Sequence, residues 1–134
     1  MSIGELTGIY MRAPGLVEFK RELARARATQ QRLTMASVQV AGARDEDDHV
    51  RDVAAVLCGQ LRPYDVIVRH GVEFHCATPG MTVDEAWERM NNVQTALKAS
   101  PSTAAVKVGV ASLDDEDSVD TLMRRADQAR ESAR

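Results

Sequence analysis

No apolar run in this sequence approaches the roughly 18–20 residues that a membrane-crossing helix needs, so no membrane insertion is expected. The opening MSIGELTGIYMR carries Glu5 early and has no long apolar core, so it is not expected to be a secretory signal. Cysteine is scarce: Cys58 and Cys76 are the only two, and their spacing fits no metal motif. In the reducing cytosol they are expected to be free and packed. Neither sign of charge is in large excess. Seventeen Lys and Arg against 20 Asp and Glu leave a net charge of −3, which gives no electrostatic case for a nucleic-acid polymer or an anionic membrane surface. A local basic pocket stays open. Internal repeats, low-complexity tracts and linkers are also missing, so the 134 residues read as one domain, 1–134. Hydrophobic residues at 44% and charged residues at 28% are ordinary for a soluble globular domain, with the cytoplasm as the expected location.

What is present is a clear alternation of helix and strand patterns. Pro14 suits a helix's first turn, and Leu16, Phe19, Leu23 and Ala26 or Arg27 recur at steps of three and four, predicting a helix over about 14–30. LTMASVQVA (33–41) alternates and is rich in β-branched residues, as a strand requires. The acidic ARDEDD follows, with Asp45 to Asp48 placed to favour the first turn of the next helix, whose inner face is Val50, Val53, Ala54, Leu57 and Leu61. VIVRH (66–70) and VEFHC (72–76) read as strands of a hairpin around Gly71, ended by Pro79 and Gly80. Thr82 with Glu85 three residues on is a capping box, and Val83, Ala86, Met90, Val93 and Leu97 form the stripe of the helix it opens. After the turn at Ser100–Ser102 comes a buried-type strand, AAVKVGVAS (104–112). Ser118 caps a last helix with Val119, Leu122, Met123, Ala126 and Ala129 inward. The order α-β-α-β-β-α-β-α predicts an α+β (α/β) fold: a ferredoxin-like core with a mostly antiparallel sheet of about four to five strands flanked by helices.

Five stretches, in order, resemble the GGDEF domains of diguanylate cyclases. ELTGIYMR (5–12) is similar to that family's opening LTGLxNR. RPYDVIVRHGVEF (62–74) is similar to its RxxD, five residues, then GGDEF. FHCATPG (74–80) has its spacing to a proline-glycine turn, VKVGVAS (106–112) resembles its SIGVA strand, and RRADQARESAR (124–134) its closing RADxALYxAK helix. The resemblance implies a GGDEF-type core and a bacterial, cytoplasmic signalling role. Whether the chain stands alone or ends a larger sensor stays open.

The catalytic half of that resemblance is degraded. Joining two GTP molecules into cyclic di-GMP needs two divalent cations, hence carboxylate ligands. The family's first-strand aspartates fall at Gln39 and Ala41, and its FKxxND segment has no counterpart. The signature turn is one residue short: Gly71, Glu73 and Phe74 survive, and Val72 stands where a glycine or acid belongs. Gly4 and Met11 replace an Asp and an Asn, and Arg134 replaces the phosphate-binding Lys. Glu73 is the one candidate metal ligand left, and one carboxylate does not clamp two metals. The expectation is therefore no catalysis, no metal and no cofactor, with magnesium entering only if GTP binding survives.

The RxxD half is intact as Arg62 and Asp65. In the family this pair binds cyclic di-GMP away from the reaction. An arginine fork fits the O6/N7 edge of guanine, and a carboxylate accepts from its N1–H and N2–H. Arg69 alternates onto one strand face as a further cation, and Arg89 is a candidate second basic contact. The competing reading has Arg62 and Asp65 pairing only with each other, near a helix end that favours a cation. The domain is then a protein-interaction or dimerisation module with no ligand. A protein partner or homodimer is expected on either reading. His49, His70 and His75 read as incidental, and Trp87 as packing.

Overall fold

The structure, a computed structural model, describes residues 8–41, 48–101 and 104–132. Along the chain run β1 (Ile9–Met11), α1 (Arg12–Thr29), β2 (Leu33–Val40), α2 (Asp48–Gln60), β3 (Val66–His70), β4 (Glu73–Pro79), α3 (Val83–Ala99), β5 (Val106–Ser112) and α4 (Val119–Ser132). The five strands form one sheet in the order β1-β3-β4-β2-β5. The β2–β4, β3–β4 and β2–β5 pairs are antiparallel. Leaving out β1 and α1, this is the predicted ferredoxin-like βαββαβ unit, with β4 inserted between β2 and β3.

Alternation along the strands sorts the side chains into two cores. Ala36, Val38, Val40, Ile67, Phe74, Cys76, Val108 and Val110 meet the apolar stripes of α2 and α3 on one face. Leu33, Met35, Val66, Val68, Ala77 and Ala111 meet Phe19 and Ala26 of α1 and Leu122, Met123 and Ala126 of α4 on the other. Helices therefore cover both faces.

Several sequence expectations need correction. The strand β1 was not foreseen: three residues are too few to show a period, and its parallel partner β3 lies more than fifty residues on. The first helix opens at Arg12 instead of 14, and the second hairpin strand runs Glu73–Pro79 instead of 72–76. The β5 strand begins at Val106, two residues later than expected. In the last helix Arg130 is buried at 8% exposure, while Ala129 is only half-buried. Of the acidic run, Asp48 sits in α2's first turn as expected. Asp45, Glu46 and Asp47 lie outside the described residues, as do Gly4 and Arg134.

Candidate functional site

The hairpin turns on two residues. His70 pairs with Glu73, so Gly71 and Val72 form the loop. Gly71 has φ +62° and Val72 is not among the positive-φ residues. That is the sign pattern of a II′ turn, which takes glycine first. Val72 then accepts a hydrogen bond from Val40 N–H at 2.9 Å, tying the loop to the end of β2.

This register puts Gln39 beside Glu73 and Ser37 beside His75, all facing α4. There the last helix delivers a cluster. Arg130 Nη1 donates to Glu73 Oε1 at 2.8 Å and to Ser37 Oγ at 2.9 Å, while its Nε donates to Glu131 at 3.1 Å. Asp127 Oδ1 accepts from Ser37 Oγ at 2.6 Å and lies 2.8 Å from His75 Nε2. Burial lowers the Arg130 pKa, but its hydrogen bonds to Glu73 and Glu131 and the surrounding carboxylates outweigh it, so the guanidinium is held charged. The helix can come this close because β5 carries Gly109 beneath it. A Cβ there would stand 2.0 Å from Arg130 N and 2.3 Å from Ala126 O.

Sequence reasoning missed Arg130. The signal was present: it follows Val119, Leu122, Met123 and Ala126 in the apolar register of α4. The donor set around Glu73 does not suit divalent cations. Its carboxylate already holds a guanidinium, its neighbour Gln39 is neutral, and Ala41 offers no side-chain donor. Among the described residues no group of three His, Cys, Asp or Glu converges as a metal site.

Arg62 and Asp65 meet at the entry to β3. Arg62 Nη2 reaches Asp65 Oδ1 at 2.6 Å, and its Nε is 3.1 Å from both carboxylate oxygens. The Arg62 N–H donates to Asp65 Oδ2 at 2.7 Å, and Arg62 O accepts from Asp65 N–H at 3.0 Å. The carboxylate lies wholly beneath the guanidinium, with side-chain exposures of 0% and 23%. Arg62 also donates to Pro79 O at 2.8 Å and stacks 4.5 Å from the ring centroid of Tyr64, itself exposed. The hydrogen bond to Asp65 raises the Arg62 pKa further above its usual value. Arg89 Nη1 donates to Gln60 O at 2.8 Å, which brings a second guanidinium to the helix end two residues before Arg62. Glu85 titrates below its ordinary range, chiefly through its capping hydrogen bonds with Thr82 and more weakly through nearby Arg32 and Arg62. This corner thus gathers cations on a chain of net negative charge.

Arg69 does not join them. It sits four residues along β3 from Asp65, about 13 Å at strand rise, where its Nε donates to Gly71 O at 3.0 Å. Strand length separates the two, and Arg69 braces the hairpin turn.

No protein-family model matches the chain, and no curated protein does. Solved structures do. The GGDEF domain of DgcB from Caulobacter crescentus, in complex with c-di-GMP, superposes with a TM-score of 0.85 at 20% identity, covering 98% of this chain and 88% of that one. The active GGEEF domain of a diguanylate cyclase from Vibrio cholerae gives 0.82 at 21% identity over 91% and 88%. Diguanylate cyclase SiaD of Pseudomonas aeruginosa, in complex with its activator SiaC, gives 0.81 at 22% identity over 97% and 56%. The chain has the GGDEF-domain fold. At these identities the likeness carries the architecture, and the chemistry of this GGDEF fold rests on its own residues.

Proposed function

We propose that this chain is a non-catalytic domain on the GGDEF fold that binds cyclic di-GMP at the Arg62–Asp65 corner. The observation that carries the reading is the clasp itself. Guanine presents N1–H and N2–H as two parallel donors, the same fork that Arg62 presents to Asp65 through Nε and Nη2. A guanine edge can therefore replace Arg62 on the carboxylate and free its fork for the O6/N7 edge. The nearby Arg32 and Arg89 suit the two phosphates of the ligand. The DgcB complex with c-di-GMP supports the same ligand for this fold.

Loss of catalysis is supported at the other end of β3. Arg130 puts a fixed positive charge on Glu73, and Gln39 stands in register beside it. A cation entering there has to displace a guanidinium and gains no second carboxylate.

A second reading has its own support. Asp65 is completely buried and fully engaged, which is what a purely structural clasp looks like. The domain then serves as a protein-binding module, the kind of association seen for SiaD with SiaC.

A thermal-shift screen with cyclic di-GMP, GTP and GDP separates the readings, since a ligand of the folded state raises the melting temperature by mass action. The proposal expects a shift with cyclic di-GMP and no pyrophosphate release from GTP with Mg²⁺ or Mn²⁺. Absence of any shift supports the ligand-free module, and pyrophosphate release overturns the non-catalytic half.

A further inference from the structure

The tryptophan Trp87 packs one side against the α2–α3 core. It also lines a cavity of about 270 Å³ on the outer side of β5, together with Asn91 and Gln94 of α3, Lys107 of β5, and Arg130 and Glu131 of α4. The volume lies just under the roughly 300–1,000 Å³ of common ligand clefts, a size that suits one fused ring system with its substituents at the open rim.

The floor is the edge of the sheet, and its polarity follows from register. Ala41 N–H donates to Ala105 O at 3.0 Å and Leu113 N–H to Leu33 O at 2.8 Å. The hydrogen-bonded pairs with β2 therefore fall on Lys107, Gly109 and Ala111. The N–H and C=O of Val106 and Val108 turn the other way, to the open edge, and both residues line the cavity. Trp87, Asn91 and Gln94 are spaced by four and three along α3, so the indole and both carboxamides share one helix face. Arg130 is nine-tenths buried and locked by Ser37, Glu73 and Glu131, a pre-set wall. Lys107 stands exposed at the rim.

We infer that this cavity is a binding site for a purine mononucleotide, separate from the Arg62 corner. An indole stacks a planar base. Side-chain carboxamides read a purine through paired donor and acceptor, and the strand edge offers the same pair from the backbone. Arg130 is already balanced by Glu73, which leaves Lys107 to take the phosphate.

Since Trp87 is the chain's one tryptophan, its fluorescence reports the site directly. The full chain is titrated with AMP and GMP, and in parallel with adenosine and inorganic phosphate. The expected result is saturable quenching by AMP or GMP at sub-millimolar concentration. Affinity falls about tenfold in the N91A/Q94A double variant, whose positions lie outside the buried stripe of α3 and accept alanine in a helix. K107A weakens the nucleotide more than the nucleoside, and R62A leaves the affinity for AMP and GMP as it was. Three results overturn the inference: no saturable response up to several millimolar, the same response from phosphate alone, or unchanged affinity in N91A/Q94A. None of them bears on cyclic di-GMP binding, which R62A reads separately.

Discussion

Arg130 is the residue whose role is least visible in the sequence and most consequential in the structure. In the closing-helix pattern RADxALYxAK it stands at the leucine, a position the apolar register also assigns inward. The sequence states that an arginine is there; only the third dimension supplies Ser37 and Glu73 as its partners, since they come from strands 93 and 57 residues away. Replacing Arg130 by leucine leaves Glu73 and Ser37 without their donor. The expected loss is about 2 kcal/mol by chemical denaturation, less than for a fully buried pair because Glu73 is about one-third exposed. Adding Glu73→Gln recovers part of it, and a double-mutant cycle measures the coupling. Gly109 is constrained more severely, because its neighbours are backbone atoms of α4 that no rotamer change moves. Gly109→Ala should lower stability by about 3 kcal/mol or more, read as a shift in denaturant midpoint. By contrast, the pairing of Arg62 with Asp65 was one of the two outcomes legible in RPYD. Three residues bring the side chains together, yet whether they face a ligand or each other depends on Pro79 and Tyr64, which close the clasp from outside.

The elements were largely legible because their signals are local. The box at Thr82 and Glu85 forms as its sequence requires, with Glu85 N–H donating to Thr82 Oγ1 at 3.1 Å and Thr82 N–H to Glu85 Oε1 at 2.9 Å. Thr82→Ala should cost about 1 kcal/mol in thermal or denaturant unfolding. Ser118 likewise opens α4, accepting from Thr121 N–H at 3.2 Å. What the sequence did not announce is the loop between β5 and α4. Asp117 is buried there among Arg125, Thr121 and the Asp114 N–H, and its carbonyl accepts from Arg27 of α1. Burial pushes the Asp117 carboxyl up, but the hydrogen bonds from Arg125, Asp114 N–H and Thr121 outweigh it and hold it at about 2, against 3.8 in the unfolded chain. The group is therefore charged in both states at neutral pH, where its full contribution is present. That contribution, about 2 kcal/mol, fades as pH falls from near 4 through 2. Unfolding midpoints measured across this range should drop more steeply in the wild type than in Asp117→Asn.

At the scale of the whole molecule, a ferredoxin-like sheet flanked by helices followed from the alternation of patterns, and the GGDEF likeness from five stretches in sequence order. The opening strand escaped because it exists only through its pairing with β3. Function divides along that same strand. At the hairpin end a guanidinium occupies the acidic group that metal chemistry needs. At the other end Arg62 covers the carboxylate that, in the proposed function, a guanine edge takes over, with Arg32 and Arg89 close by. That carboxylate, on Asp65, is buried beneath Arg62, so a variant at Arg62 is compared with the wild type only where both are folded. The most direct measurement is calorimetric titration of cyclic di-GMP into the wild-type chain and into Arg62→Ala, both shown to be folded by cooperative unfolding and titrated below their melting temperatures. The account predicts saturable heat at sub-millimolar ligand for the wild type and its loss in the variant. No heat from the wild type, or equal heat from both proteins, contradicts it.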